Sequence, residues 1–231
     1  MTVCKRLRRY MTPFQWSEVI AVAAFTVYFA GIDKDDAWWY ILLSSISAIC
    51  GIFCVVLCAA GKKSQYYWGF INIVAYVAVA WISKYYGEVM LNALYYLPTQ
   101  FIGLYFWNKH YNQKSETVKS KKMSLPVIVV SLIVTGFFIW GYRQVLVSLG
   151  GNATWLDSAS TSFALIANAL MVMRYREQWV LWIVVDAITV IMWILACDWI
   201  QVSMWAVYLL NAFYGFYKWT KLNNIDNAEN E

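Results

Sequence analysis

Eight runs of mostly apolar residues, at about 14–31, 38–60, 66–84, 87–109, 125–147, 155–174, 179–197 and 199–219, dominate this chain of 231 residues. A helix that crosses a bilayer needs roughly 20 such residues, and it alone satisfies its backbone hydrogen bonds without water or a neighbour. Eight spans leave only short connections and two tails, so no soluble domain of ordinary size fits between them. With 61% hydrophobic and 13% charged residues, the chain cannot cover a water-facing surface of its own. An in-chain nucleotide-driven motor is excluded as well. Gly61-Lys62 is the only Gly-Lys pair, and it has Val56 where a phosphate-cradling loop needs glycine. Energy for any work must come from a gradient or from another protein.

The 18 basic residues orient the spans. Lys5, Arg6, Arg8 and Arg9, then Lys62 and Lys63, then Lys109, Lys114, Lys119, Lys121 and Lys122, then Arg174 and Arg176, then Lys218 and Lys221 fall on one side if there are eight crossings. The other side receives Lys34, Lys84 and Arg143 with Asp33, Asp35, Asp36, Glu88, Asp157 and Asp198. Lysine and arginine are retained on the cytoplasmic side, so both termini are expected there. The net charge of +5 therefore reflects topology and implies no nucleic-acid partner. Cys50, Cys54 and Cys58 recur every fourth residue on one apolar helix face and read as small packing residues, with no metal cluster beside them. Pro98 alone lies inside a span. It frees a carbonyl near Leu94, which a neighbour or cavity water must meet.

Residues 38–109 and 153–219 form a weak duplication. Trp68 and Asn72 recur as Trp182 and Asp186 at an offset of 114, and Gly103, Tyr105, Trp107 and Lys109 recur as Gly215, Tyr217, Trp219 and Lys221 at an offset of 112. Three spans per unit, joined by one connecting span, bring the second unit in with the orientation of the first. The axis relating them then runs along the membrane normal, and a substrate site is expected between the units near the midplane. The predicted fold is an all-α polytopic membrane protein of two parallel three-helix repeats around a linker helix, with an extra amino-terminal helix. Its segments are 1–34, the amino terminus and extra helix; 35–112, the first repeat; 113–150, the cytoplasmic loop and linker helix; 151–221, the second repeat; and 222–231, a cytoplasmic tail.

The run Arg174-Tyr-Arg176-Glu177-Gln-Trp179-Val-Leu-Trp182-Ile-Val-Val-Asp186, with Gly-x-x-x-Trp at Gly103/Trp107 and again at Gly215/Trp219, resembles the PnuC family of bacterial vitamin transporters. The resemblance covers residues 38–219. It implies a fold related to the sugar-transporting SWEET proteins, a place in the bacterial inner membrane, and uptake of nicotinamide riboside that a cytoplasmic kinase then phosphorylates for NAD biosynthesis. It also implies a homo-oligomer, a trimer, among membrane lipid. No cofactor is expected.

Asp186 is a carboxylate inside an apolar run, costly there unless paired or wetted, and functional by default. Trp182 lies one turn before it, as Trp68 does before Asn72, so each repeat presents an indole and a polar group on one helix face. Nicotinamide riboside carries a fixed cation on its pyridinium ring, which an indole face attracts by about 0.5–2 kcal/mol. Gln100 and Asn211 offer amides at similar depth, suited to a carboxamide or ribose. Tyr95, Tyr96, Tyr208 and Tyr214 line the same helices, and Tyr214 is taken into the expected site. The substrate-binding set is thus Trp68, Asn72, Gln100, Trp182, Asp186, Asn211 and Tyr214. Trp38, Trp39, Trp107, Trp155, Trp199 and Trp219, near span ends, read as interfacial belts. Glu18, outside the repeat, is expected to snorkel or to pair with Arg8 or Arg9.

An intramembrane enzyme is not expected, since His-Glu-x-x-His, Gly-x-Ser-x-Gly and paired carboxylates are absent from the sequence. A chromophore binder needs a mid-span lysine for its Schiff base, and Lys84, Lys109, Lys218 and Lys221 all sit at span ends. The remaining rivals are carriers of thiamine, riboflavin or sugar on the same fold, with or without proton coupling. Asp186 reads as the only acidic residue deep in the repeated core, and facilitated diffusion is the mode expected from that.

Overall fold

Long apolar runs with proline or polar residues at their starts fold into helices, and the computed structural model describes residues 11–32, 37–113 and 116–228. Among these, eight helices follow the eight runs: α1 Pro13–Ile32, α2 Trp38–Ala59, α3 Gln65–Ile82, α4 over 86–109, α5 Leu125–Ser148, α6 Thr154–Val172, α7 Gln178–Leu195 and α8 Trp199–Ala228. Pro13 and Pro126 lie in the first turns of α1 and α5, where a missing N–H breaks no helical bond. α8 runs on to Ala228, past the end at 219 expected for its span. α1, α2, α5 and α7 are each long and apolar enough to cross a membrane alone. In α6, Asp157, Ser158, Ser160, Thr161, Ser162 and Asn168 are all buried, so its polarity faces protein.

The helices pack α2 on α3 and α3 on α4 in one half, and α6 on α7 and α7 on α8 in the other. Between the halves, α8 packs on α2 and α4 packs on α6. Each third helix therefore lies against the first helix of the other half. α5 rests on α6 and turns Phe137, Trp140 and Ile133 outward, as lipid-facing residues should be. α1 packs on α2 and α8. Glu18 is buried at that junction and makes no hydrogen bond to a described residue, so it does not snorkel as expected. Arg8 and Arg9, with the other basic residues before Tyr10 and the acidic 33–36 loop, lie outside the described residues.

The Gly-x-x-x-Trp pattern has one structural meaning in both halves. The Trp107 indole N–H donates to the Met171 carbonyl at 3.1 Å, joining α4 to α6. The Trp219 indole donates to the Cys58 carbonyl at 3.2 Å, joining α8 to α2. One turn earlier, Gly103 lets the Tyr66 ring press onto α4, and Gly215 lets the Trp179 ring press onto α8. Trp107 and Trp219 are 0% exposed, which corrects their reading as interfacial belts. Trp38, Trp39, Trp155 and Trp199 are exposed, as belts require. Hydrogen bonding to a carbonyl across the halves drew the two end tryptophans inward.

At this end a short hairpin, β1 Tyr111–Asn112 and β2 Thr117–Val118, straps the halves together. The Val118 N–H donates to the Gly61 carbonyl at 3.0 Å, the Ser120 hydroxyl to the Trp219 carbonyl at 3.1 Å, and the Met123 N–H to Glu177 Oε2 at 3.0 Å. The connections bearing Lys62, Lys63, Lys119, Lys121, Arg174 and Arg176 thus gather at one end, while Lys84 meets Asn152 at the other.

The paired glycines yield a test. Gly103→Ala and Gly215→Ala push a methyl into a rigid ring and should each lower stability by about 1–3 kcal/mol. Gly136→Ala on α5, with nothing near its added carbon, should not. Thermal unfolding of the purified variants measures this, and three equal melting temperatures would refute the close-packing role.

Candidate functional site

The crossing helices leave a cavity of about 110 Å³ between the halves, many times the 10–15 Å³ a single water needs. Its wall draws on α2, α3 and α4 from one half and α6, α7 and α8 from the other.

α4 supplies a polar stripe because its helix changes register. Proline at position 98 cannot donate, and the chain answers with a π-helical turn, Leu91–Tyr96, in which the Leu97 N–H reaches back five residues to the Asn92 carbonyl. The Thr99 hydroxyl donates to the Tyr96 carbonyl at 3.0 Å, supplying a local partner beside the proline. In a regular α-helix, residues four apart drift about 40° per step around the axis. A wider π turn offsets that drift. Glu88, Asn92, Tyr96 and Gln100 all face the cavity as a result, while Leu94 and Pro98 face outward. Asn168 of α6 donates to Thr99 at 2.9 Å and joins the wall.

Two glycines make room for polar ends. A side-chain carbon on Gly69 would sit 2.8 Å from the Gln100 amide nitrogen, and one on Gly51 would collide with the Tyr208 hydroxyl. Gln100 Oε1, Asn211 Oδ1, the Tyr208 hydroxyl and the indole nitrogens of Trp179 and Trp205 are buried without a partner among the described residues. Unsatisfied buried polar atoms are costly, and several aimed into one cavity fit a ligand that carries donors and acceptors.

Of the residues expected from sequence, Asn72, Gln100, Trp182, Asp186 and Asn211 line this cavity. Asn72 donates to the Ser47 carbonyl at 2.9 Å and Asn211 to the Val55 carbonyl at 3.2 Å, so each is anchored to α2. Asp186 is buried, takes no side-chain hydrogen bond from the described residues, and lies within electrostatic reach of Tyr96 and Tyr208. Trp68 and Tyr214 are elsewhere. Trp68 stacks on Phe53 with ring centres 4.5 Å apart, because its side of α3 faces α2 and not the cavity. Tyr214 packs on Phe14 of α1 at 4.8 Å and shares a hydrogen bond with Thr12, since α1 covers that face of α8. Tyr96 and Tyr208 are the tyrosines that face inward from α4 and α8. Cys54 and Cys58, expected as packing residues alone, are also part of the wall.

The sequence reading missed Glu88. It stands at the lysine-poor end, as expected, but buried in the cavity wall at 2% exposed, so Asp186 is not the only carboxylate of the cavity. Ser160 donates to Glu88 Oε1 at 2.9 Å, and the Tyr76 hydroxyl donates to Oε2 at 3.5 Å while accepting from the Trp193 indole at 3.2 Å. A signal was present: Glu88, Asn92, Tyr96 and Gln100 recur every fourth residue within an apolar run.

Residues 41–221 match the family described as "Nicotinamide mononucleotide transporter". The chain is 37% identical over 227 residues to the nicotinamide riboside transporter PnuC of Haemophilus influenzae, covering 96% of this chain and 98% of that one. The protein of the same name from Neisseria mucosa is 36% identical over 220 residues, 87% of this chain and 81% of the relative. Among solved structures, the crystal structure of the vitamin B3 transporter PnuC superposes with a TM-score of 0.79 at 32% identity, over 97% of this chain and 99% of that one.

Proposed function

The chain belongs to the nicotinamide mononucleotide transporter family, and from that premise we propose that it takes up nicotinamide riboside through the cavity between its two halves. The observation that carries this reading is the charge of the wall. Glu88 and Asp186 line it, and no lysine, arginine or histidine does among the described residues. A fixed pyridinium cation is drawn to such a wall, whereas a phosphate would enter with its charge opposed and no partner. The riboside therefore suits the cavity and the mononucleotide does not. Trp182 and Trp205 offer faces for the ring, and Asn72, Gln100, Asn168 and Asn211 offer donors and acceptors for the carboxamide and ribose. The names of the Haemophilus and Neisseria relatives support the same ligand.

Transport is by facilitated diffusion. Each half rocks about the ligand, and the substrate's own cation neutralises the carboxylates that a coupled carrier would use to take up a proton. A cytoplasmic kinase then traps the product, whose phosphate this wall rejects. Basic connections gathered at one end support cytoplasmic termini.

Calorimetry on purified protein tests the site. Trp182→Ala and Asp186→Ala should each weaken riboside binding at least about tenfold, or 1.4 kcal/mol, with normal size-exclusion elution. Gly69→Ala should do the same by driving the Gln100 amide into the cavity. Nicotinamide mononucleotide should bind at least about a hundredfold more weakly than the riboside, a gap of about 2.7 kcal/mol. Thiamine, riboflavin and glucose in the same assay separate the riboside from its rivals. Unchanged riboside affinity in all three variants would place the ligand elsewhere.

The energetics are tested in reconstituted vesicles without kinase. Uptake of labelled riboside should stop at equal concentrations inside and out, with or without a proton or sodium gradient. Accumulation above that level under either gradient refutes facilitated diffusion.

A further inference from the structure

The two carboxylates of the cavity come from different halves and are held differently. Asp186 stands on α7 within electrostatic reach of Tyr96 and Tyr208 and without a side-chain hydrogen bond from the described residues. Glu88 stands on α4, fixed by Ser160 of α6 and by the Trp193–Tyr76 relay. The donors aimed at its two oxygens suit an ionised acceptor, and its place in the first turn of α4 adds the positive end of the helix dipole. Asp157 lies close by, but its carboxylate accepts the Gly87 N–H at 2.9 Å and does not line the cavity. Glu88 and Asp186 both line the one cavity, and Tyr96 lies within electrostatic reach of each. Asp186 lies nine residues before Leu195 at the end of α7, and Ser160 six residues after Thr154 at the start of α6. At 1.5 Å per residue these are about 13 and about 9 Å from the lysine-poor end.

We propose that Glu88 is a ligand-contacting residue that determines specificity, setting the cavity's preference for a cationic ring over a neutral ring of the same shape. The inference rests on the riboside reading above and deepens it. Two anionic points on opposite halves bracket one cation, so a ligand with a fixed positive ring engages both halves at once and a neutral ring engages neither charge. Ser160 and Tyr76 keep the carboxylate in place when the cavity is empty, so it is preorganised and no ordering is required on binding. Asp186, lacking such donors, is free to follow the ligand.

The test is a ratio. Nicotinamide riboside and its 1,4-dihydro form share ribose and carboxamide, but the dihydro ring is neutral. Calorimetry gives both affinities for the wild type, Glu88→Gln, Glu88→Asp and Asp186→Asn. Glu88→Gln keeps the size of the side chain and one acceptor oxygen while removing the charge. Its preference for the cation should fall at least about tenfold, with affinity for the dihydro form within about threefold of wild type. Glu88→Asp should retain most of the preference. If Glu88→Gln weakens both ligands equally or changes neither, Glu88 is structural and the proposal is overturned. Should that variant not fold, Asp186→Asn decides: a preference lost entirely there leaves nothing for Glu88, while a residual preference of about tenfold or more supports it. A wild type that binds neither ligand overturns the riboside reading itself, whereas a wild type that binds the riboside with an unchanged ratio in Glu88→Gln overturns only the role of Glu88.

Discussion

Two helix pairs cross between the halves of this protein, α4 on α6 and α8 on α2, and each is fastened near both of its ends. Near the basic end the fasteners are the indoles of Trp107 and Trp219, which take up the carbonyls of Met171 and Cys58. At the far end they are carboxylates. Asp157 on α6 accepts the Gly87 N–H of α4, and Asp198 at the start of α8 accepts the hydroxyls of Tyr40 and Ser44 on α2 at 2.7 and 3.1 Å. Lipid cannot satisfy these groups, so each bond removes a cost that the helices would otherwise carry into the membrane. The same pairs are also bonded along their lengths, Asn168 of α6 to Thr99 of α4 and Asn211 of α8 to the Val55 carbonyl of α2, and the cavity lies between them.

Pseudo-symmetry sets the frame, and departures from it make the site. Ser44 and Asp157 occupy corresponding places 113 residues apart, yet both junction carboxylates come from the second half, Asp157 on its first helix and Asp198 at the start of its third. Asn72 corresponds to Asp186, and Glu88 to Gln201, which is buried outside the cavity wall. Tyr96 and Tyr208 are kept in both halves. A symmetric wall would serve a symmetric ligand. One aromatic ring, one ribose and one charge need the donors and the carboxylates on different sides, and substitution within a duplicated frame supplies that without altering the fold.

Where the sequence reading erred, the cause was a choice of helix face. Trp68 was placed beside Trp182 by the repeat, but a turn of α3 toward α2 set it on Phe53. Tyr214 shares α8 with Asn211, three residues earlier, and that spacing suggests one face; α1, which stands outside the repeat, covers the tyrosine instead. Glu88 looked peripheral because it begins a span, and the π-helical turn ahead of Pro98 brought it into line with Asn92, Tyr96 and Gln100. Periodicity in one strand of sequence cannot register a change of helical pitch.

Hydropathy along the chain determined the all-helical membrane class, because bilayer thickness fixes the length of an apolar run whatever its neighbours are. Basic residues in alternate connections fell together at one end for the same one-dimensional reason, and family membership was carried by the Arg-x-Arg-Glu-Gln-Trp-x-x-Trp run and the doubled Gly-x-x-x-Trp. Asp186, Gln100 and Asn211 could be named because a polar side chain in a span is rare enough to stand out. Which aromatic residues reach the cavity, which tryptophans close it, and that Glu88 joins Asp186 in its wall were decided only in three dimensions. Those outcomes depend on how six helices rotate against one another, and rotation is set by contacts between residues about a hundred positions apart.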